Sequence, residues 1–73
     1  MKTFKVGDKI NKQTKWDTKE VEILSRSDME ITYAEYLPNG RYEYTVEIEE
    51  DDFGNEIIDW GIWDGMSHYT KAR

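Results

Sequence analysis

The chain has 73 residues, ten basic and sixteen acidic side chains, a formal net charge of −6 and no cysteine. This length suits one domain with a small core, and the missing thiols exclude disulfides and thiolate zinc sites. No run reaches the roughly 20 apolar residues of a membrane-spanning helix, and none follows the N-terminal lysines as in a signal peptide, so we expect a soluble protein of the cytoplasm.

The first 28 residues predict two short strands joined by a polar loop. Residues 4–10 alternate apolar and polar side chains around a Gly-Asp turn signal. Residues 11–18 are polar and rich in lysine, which indicates a loop whose Trp16 folds back onto the core. Residues 19–25 alternate with period two and predict a strand, and residues 26–28 predict a turn.

The clearest element is a hairpin with strands over residues 29–37 and 41–50 and a turn at Pro38-Asn39-Gly40. Apolar side chains alternate along both strands, so each strand has one face for the core. The outward face of the second strand carries Glu43, Thr45, Glu47 and Glu49.

The register of this hairpin depends on the length of its loop. A three-residue loop pairs Leu37 with Arg41, whereas a two- or four-residue loop pairs Leu37 with Tyr42 and places apolar residues opposite one another. We favour the second register, because a slip by one residue would turn the apolar side chains away from the core.

The C-terminal third predicts a turn, a short strand and a tail. Residues 51–55 are a turn cluster, and residues 56–60 alternate as a strand that continues after a bend at Gly61. Residues 66–73 predict a flexible tail with at most one further short strand or turn.

About five strands and no helical period predict an all-β fold, a small antiparallel barrel formed by residues 1–73. The order of parts resembles the SH3-like small barrels. The resemblance rests on the segments Phe4-Lys-Val-Gly-Asp-Lys-Ile10, Glu20-Val-Glu-Ile-Leu24 and Pro38-Asn-Gly-Arg41. It implies a fold and not a function.

Catalysis and metal binding find little support in the sequence. The single histidine, His68, lies near the C-terminus without a convergent nucleophile, and the acidic turn at residues 51–56 lacks the ligand spacing of a calcium loop. We therefore expect no enzyme activity, cofactor or metal. Six lysines recur near Phe4 and Trp16, as in nucleic-acid grooves, but the acidic net charge favours lysines that guard strand edges and loops.

Negative charge is concentrated in residues 42–64, which hold nine carboxylates and neither lysine nor arginine. Same-face carboxylates along a strand repeat at roughly 6.6–6.8 Å, a spacing comparable with that of phosphates along a DNA strand. The hypothesis is a nucleic-acid mimic that occupies the basic surface of a DNA- or RNA-handling or defence enzyme. In size and charge the chain resembles the acidic inhibitors that phages make against restriction and CRISPR nucleases. The alternative is charge for solubility and edge protection.

The predicted partner-binding surface combines these carboxylates with one aromatic residue. If alternation continues through residues 60–63, Trp63 faces away from Trp60 and is exposed, unless Gly61 resets the phase. The alternatives are an adaptor that docks peptides in an exposed aromatic groove, a structural component of an assembly, and a nucleic-acid binder that uses the lysine-rich end. The predicted residues are Glu43, Glu47, Glu49, Glu50, Asp51, Asp52, Glu56 and Trp63.

Overall fold

The computed structural model describes residues 1–73 and contains seven strands and no helix. The all-β prediction is confirmed, with two strands more than expected. Without a helix, the molecule has no helical segment long and apolar enough to cross a membrane. The strands are β1 (Lys9–Gln13), β2 (Thr18–Ser27), β3 (Glu30–Leu37), β4 (Gly40–Glu47), β5 (Glu49–Glu50), β6 (Glu56–Trp63) and β7 (Met66–Lys71).

The strands form two antiparallel sheets that share one core. Four strands are ordered β1-β2-β3-β4 and three are ordered β5-β6-β7. The chain passes from the first sheet to the second at Ile48, whose side chain is buried. Period-two alternation places the apolar side chains of β2 and β3 on the inner face, as predicted. Trp16, which was expected to fold back onto the core, is 86% exposed, and Tyr42 and Tyr44 lie at the margin of the core face. The core consists of Phe4, Ile10, Val21, Ile23, Ile31, Tyr33, Ile48, Ile58 and Ala72.

The central hairpin has a two-residue loop, Pro38-Asn39, and pairs Leu37 with Gly40. The two-residue length is one of the two that were predicted, but the predicted pair of Leu37 with Tyr42 is wrong by two residues, because that pair requires the four-residue loop. An even shift leaves every side chain on its predicted face, so the apolar and acidic faces are retained. Gly40, the first residue of β4, has a φ of 148°, which other residues rarely adopt, so glycine suits the position directly after the turn.

Arg26, which is partly exposed, and the buried Glu56 join the two sheets through an ion pair. The Arg26 Nη2 atom donates to Glu56 Oε2 at 2.6 Å, and its Nη1 atom donates to the Phe4 carbonyl at 2.8 Å. The Phe4 amide donates to Glu56 Oε1 at 2.9 Å. The Arg26 guanidinium holds the pKa of Glu56 below its ordinary value. This network secures residues 1–8 against β6.

The C-terminal residues form the further short strand that the sequence allowed beside a flexible tail, and it spans Met66–Lys71. β7 pairs with β6, with Ile57 opposite Lys71 at one end of the ladder and Trp63 opposite Met66 at the other. The Ala72 amide donates to the Glu56 carbonyl at 2.9 Å. Ala72 is buried, so its methyl group is part of the core. In such a short chain this strand supplies a large share of the second sheet.

Candidate functional site

Three carboxylates line an open groove between β4 and β6. Glu47 and Glu49 approach it from one side and Asp59 from the other. The groove encloses about 490 Å³, and its remaining lining consists of Thr45, Val46, Trp60 and Gly61. Glu47 and Glu49 were predicted as partner-binding residues, whereas Asp59 was not. Asp59 joins them because its Oδ1 atom accepts a hydrogen bond from the Gly61 amide at 2.8 Å, within the β6 bulge.

The carboxylates of this region lack internal counterions, in contrast to the buried ones. The two buried carboxylates, Glu35 and Glu56, both form ion pairs, with Lys12 and Arg26 as their closest partners. Among the predicted carboxylates that are not buried, only Glu43 has a cation within 4 Å, Arg41 at 3.5 Å. Those without one are Glu47, Glu49, Glu50, Asp51 and Asp52. Their field therefore extends into solvent.

Glu47 lies directly opposite Glu30 in the β3–β4 ladder. Like charges opposite one another on a sheet reduce stability, commonly by a few tenths of a kcal/mol. Both side chains are exposed, and no cation lies within 4 Å of either. The negative charge at Glu47 thus costs stability and needs a reason outside the folded chain.

The structure assigns Glu56 a different place from the predicted one. Its residue surface is 5% exposed and its carboxylate is committed to Arg26 and to the Phe4 amide. Burial in this network prevents contact with a partner, so Glu56 is excluded from the candidate surface. Its sequence neighbours at the 51–55 turn gave no signal of this, because both of its partners are distant in the chain.

In the turn at residues 51–55, Asp51 bonds to the backbone of the turn and Asp52 is exposed to solvent. Asp51 Oδ1 accepts hydrogen bonds from the Asn55 and Phe53 amides, both at 2.9 Å, and the Asn55 bond is the main reason why the pKa of Asp51 is lowered. Asp51 therefore shapes the turn. Asp52 points to solvent, and Phe53 is 86% exposed at the tip. An aromatic residue inside a polar turn was the sequence signal for Phe53, and the prediction passed over it.

Trp63 is half-buried, because a β-bulge changes the alternation. The register shifts between Asp59 and Gly61, so the simple alternation is broken there. Trp60 packs against the core, and Trp63 is partly shielded although it is not among the residues that pack there. The Trp63 ring packs against His68 with centroids 4.8 Å apart. Ile62 takes the outward position and is 69% exposed. Trp63 is thus a weaker candidate for partner contact than Phe53.

Three aromatic residues of β3, β4 and β6 surround a lysine of the same chain. The Lys12 ammonium lies 5.1 Å from the Tyr44 ring centroid, 5.3 Å from that of Tyr33 and 5.9 Å from that of Trp60. It also contacts Glu35 Oε1 at 3.0 Å. Burial alone would lower the pKa of Lys12, but its interactions with Tyr33 and Glu35 outweigh this and raise it. The cluster of Tyr33, Tyr44 and Trp60 is therefore already occupied by a cation of the same chain.

Replacing Lys12 by methionine should lower the free energy of unfolding by about 1–3 kcal/mol, because the buried Glu35 carboxylate loses its close partner. Lys19, at 3.8 Å, would compensate for part of the loss. Urea denaturation measures the effect, and Lys15→Met is the control, since Lys15 contacts only the exposed Trp16 ring. Equal stability of the two variants would contradict a structural role for Lys12.

No three side chains among histidine, aspartate and glutamate are arranged to hold a metal ion. Comparison of the chain with models of protein families, with curated proteins and with solved structures gives no match. Its function must therefore be argued from the acidic groove and from the turn beside it.

Proposed function

We propose that the protein is a non-catalytic binding protein of the cytoplasm that docks its acidic surface on a basic surface of a partner protein. The acidic surface comprises the groove carboxylates with Glu50, Asp52 and Glu43. The observation that carries the proposal is the groove itself, which brings Glu47, Glu49 and Asp59 together with no cation within 4 Å of any of them. Unpaired charge of one sign speeds association with a partner of opposite sign and selects against others.

Phe53 gives this surface an apolar anchor. It adjoins a shallow hollow formed with Ile57, Tyr69 and Lys71, and Ile57 is the cross-strand neighbour of Glu49. An exposed aromatic side chain next to charge resembles the centre of many protein interfaces, where aromatic residues provide most of the binding energy. Lys71 is the one cation that lines this hollow, and its ammonium lies 5.7 Å from the Tyr69 ring centroid.

The specific form of the proposal is a nucleic-acid mimic that inhibits a DNA- or RNA-handling or defence enzyme, as phage inhibitors do. The fold would be a variant of the SH3-like small barrels, a likeness supported by the bend at Ile48 that carries the chain from one sheet into the other. The alternative is a peptide adaptor with an aromatic groove built from Trp60, Trp63 and Tyr69. Trp60 is less available for it, because its ring lies beside the Lys12 ammonium of the same chain.

A capture experiment with paired charge variants tests the proposal. The immobilised protein should retain a partner from a lysate of its source cell, and Glu47→Lys/Glu49→Lys should lose it. The control Glu20→Lys/Asp28→Lys changes the net charge equally at exposed residues outside the groove and should retain it. Asp51 is left intact because its replacement would disturb the turn.

The captured partner then distinguishes the forms of the proposal. Affinity for it should fall about tenfold or more on raising the salt concentration from about 0.05 to 0.5 M, since exposed charges are screened. Duplex DNA should compete for the same site if the protein is a mimic. Equal loss by both double variants would mean that only net charge matters, and retention by the groove variant would refute docking through this surface.

A further inference from the structure

β4 is the edge strand of its sheet, and no backbone group outside β3 bonds to it. Strand order ends at β4, and none of the backbone hydrogen bonds outside the strand ladders involves residues 40–47. The β3–β4 ladder has no bulge between its two terminal pairs, in which Leu37 lies opposite Gly40 and Glu30 lies opposite Glu47. The free edge is therefore eight residues long and regular.

The register determines which backbone groups face outward. In a hairpin with a two-residue loop the pair next to the loop, Leu37 and Gly40, is hydrogen-bonded, and the pattern alternates from there. Tyr42, Tyr44 and Val46 then bond to β3. The amide and carbonyl groups of residues 41, 43, 45 and 47 point away from the sheet, and they belong to Arg41, Glu43, Thr45 and Glu47.

The other edges of the two sheets are shielded. β1 lies beside β7, and its Asn11 carbonyl accepts a hydrogen bond from the Thr70 hydroxyl. β5 has only two residues. β4 has no hydrogen-bonded neighbour beyond β3, no proline and no lysine, and two of its three charged side chains are acidic, Glu43 and Glu47 beside Arg41. Such charge repels a second acidic copy of this chain but attracts a basic strand.

We propose that the free edge of β4 accepts an extended basic segment of the partner protein as an additional antiparallel strand. This inference rests on the proposed function and deepens it: the carboxylates select the partner, and the β4 backbone binds it. Main-chain hydrogen bonds supply affinity in strand addition, and alternate side chains supply specificity.

The geometry specifies the chemistry of the added strand. Residues opposite Glu43 and Glu47 would be lysine or arginine, which form cross-strand pairs of opposite charge. The residue opposite Thr45 would be small and polar. Residues between them would be apolar and face the inner side, where Tyr44 is 44% exposed and Val46 lines the groove.

A blocked synthetic peptide, Lys-Val-Thr-Val-Lys-Val-Glu, is the probe, since its antiparallel register runs from Glu47 to Arg41. In the free protein the amides of Glu43, Thr45 and Glu47 should exchange rapidly with solvent, and those of Tyr42, Tyr44 and Val46 slowly. Peptide at about ten times its Kd should slow the three rapid amides about tenfold, because bound protein does not exchange there. A peptide of the same composition with both lysines adjacent should not.

A proline variant tests the backbone directly. Thr45→Pro removes one outward amide, and edge strands tolerate such a proline. Thr45→Ala is the control, since it equally loses the Thr45–Thr32 hydroxyl bond but keeps the amide. Affinity for the peptide should fall about tenfold in Thr45→Pro relative to Thr45→Ala. Circular dichroism checks folding, and Glu43→Pro against Glu43→Ala provides a second pair.

The outcomes separate this inference from the proposed function. Salt-dependent peptide binding without slowed amides, or with equal affinity in the Thr45 pair, would overturn strand addition and leave docking by the acidic surface intact. Absence of peptide binding, with a captured partner that still responds to Glu47→Lys/Glu49→Lys, would do the same. Protection of these amides that rises with protein concentration alone would show a second copy at the edge and also overturn it.

Discussion

Replacing Arg26 by alanine is expected to lower the free energy of unfolding by about 3–5 kcal/mol, because it leaves the buried Glu56 carboxylate without its countercharge. The loss is large against the total of about 4–11 kcal/mol expected for a chain of this length. The Phe4 amide would be the carboxylate's remaining donor. Urea denaturation followed by tryptophan fluorescence measures the change.

The surface pair of Arg41 and Glu43 is the matched control. Its atoms are 3.5 Å apart and both side chains are about half exposed, so Arg41→Ala should change stability by no more than about 0.5 kcal/mol. The double variant Arg26→Met/Glu56→Leu should be much more stable than Arg26→Ala, because it removes the unpaired charge. A loss below about 1 kcal/mol in Arg26→Ala would contradict the role assigned to the pair.

The same pair predicts a dependence of stability on pH. The pKa of Glu56 is lower in the folded protein than its ordinary value, so the unfolded chain takes up this proton first as the pH falls. The stabilisation is complete above the ordinary glutamate pKa and is lost as the pH falls through the lowered one. Denaturation midpoints measured across this window should fall more steeply for the natural protein than for Arg26→Ala.

Patterns local in the chain predicted the class of fold and the faces of the strands. Alternation in β3 and β4 placed Ile31 and Tyr33 inward and Glu43 and Glu47 outward, and this required no knowledge of distant residues. The exact register was missed because several loop lengths give the same faces. The backbone conformation of Gly40, directly after the loop, is a detail that alternation does not contain.

What the sequence left open depends on contacts between distant residues. Glu56 looked like one more surface carboxylate, yet Arg26 is thirty positions away and meets it only when the sheets pack. Lys12 looked like a solvent-exposed loop lysine, yet β1 brings it to the aromatic residues of β3, β4 and β6. Charge patterns along a chain do not show which charges the fold itself uses.

Replacing Glu47 by lysine is expected to change stability and binding in opposite directions. The substitution converts the Glu30–Glu47 repulsion into an attraction across the β3–β4 ladder, so the free energy of unfolding should rise by about 0.2–1 kcal/mol. Affinity for the captured partner should fall about tenfold or more, since a positive charge then faces the partner's basic surface from within the groove. If Glu47 served only solubility, its replacement by lysine would raise stability without lowering the affinity for the partner.

Glu30→Lys is the matched control, because it relieves the same repulsion and changes the net charge equally but does not touch the groove. Its stability should rise as in Glu47→Lys while its affinity for the partner changes less than about threefold, the modest effect of a charge outside an interface. If both variants lost affinity equally, the overall field would govern binding and the groove would have no special role. If neither variant lost affinity, removal of the negative charge at Glu47 would raise stability without weakening binding. The charge of β4 would then serve only to keep other strands from pairing with the β4 edge.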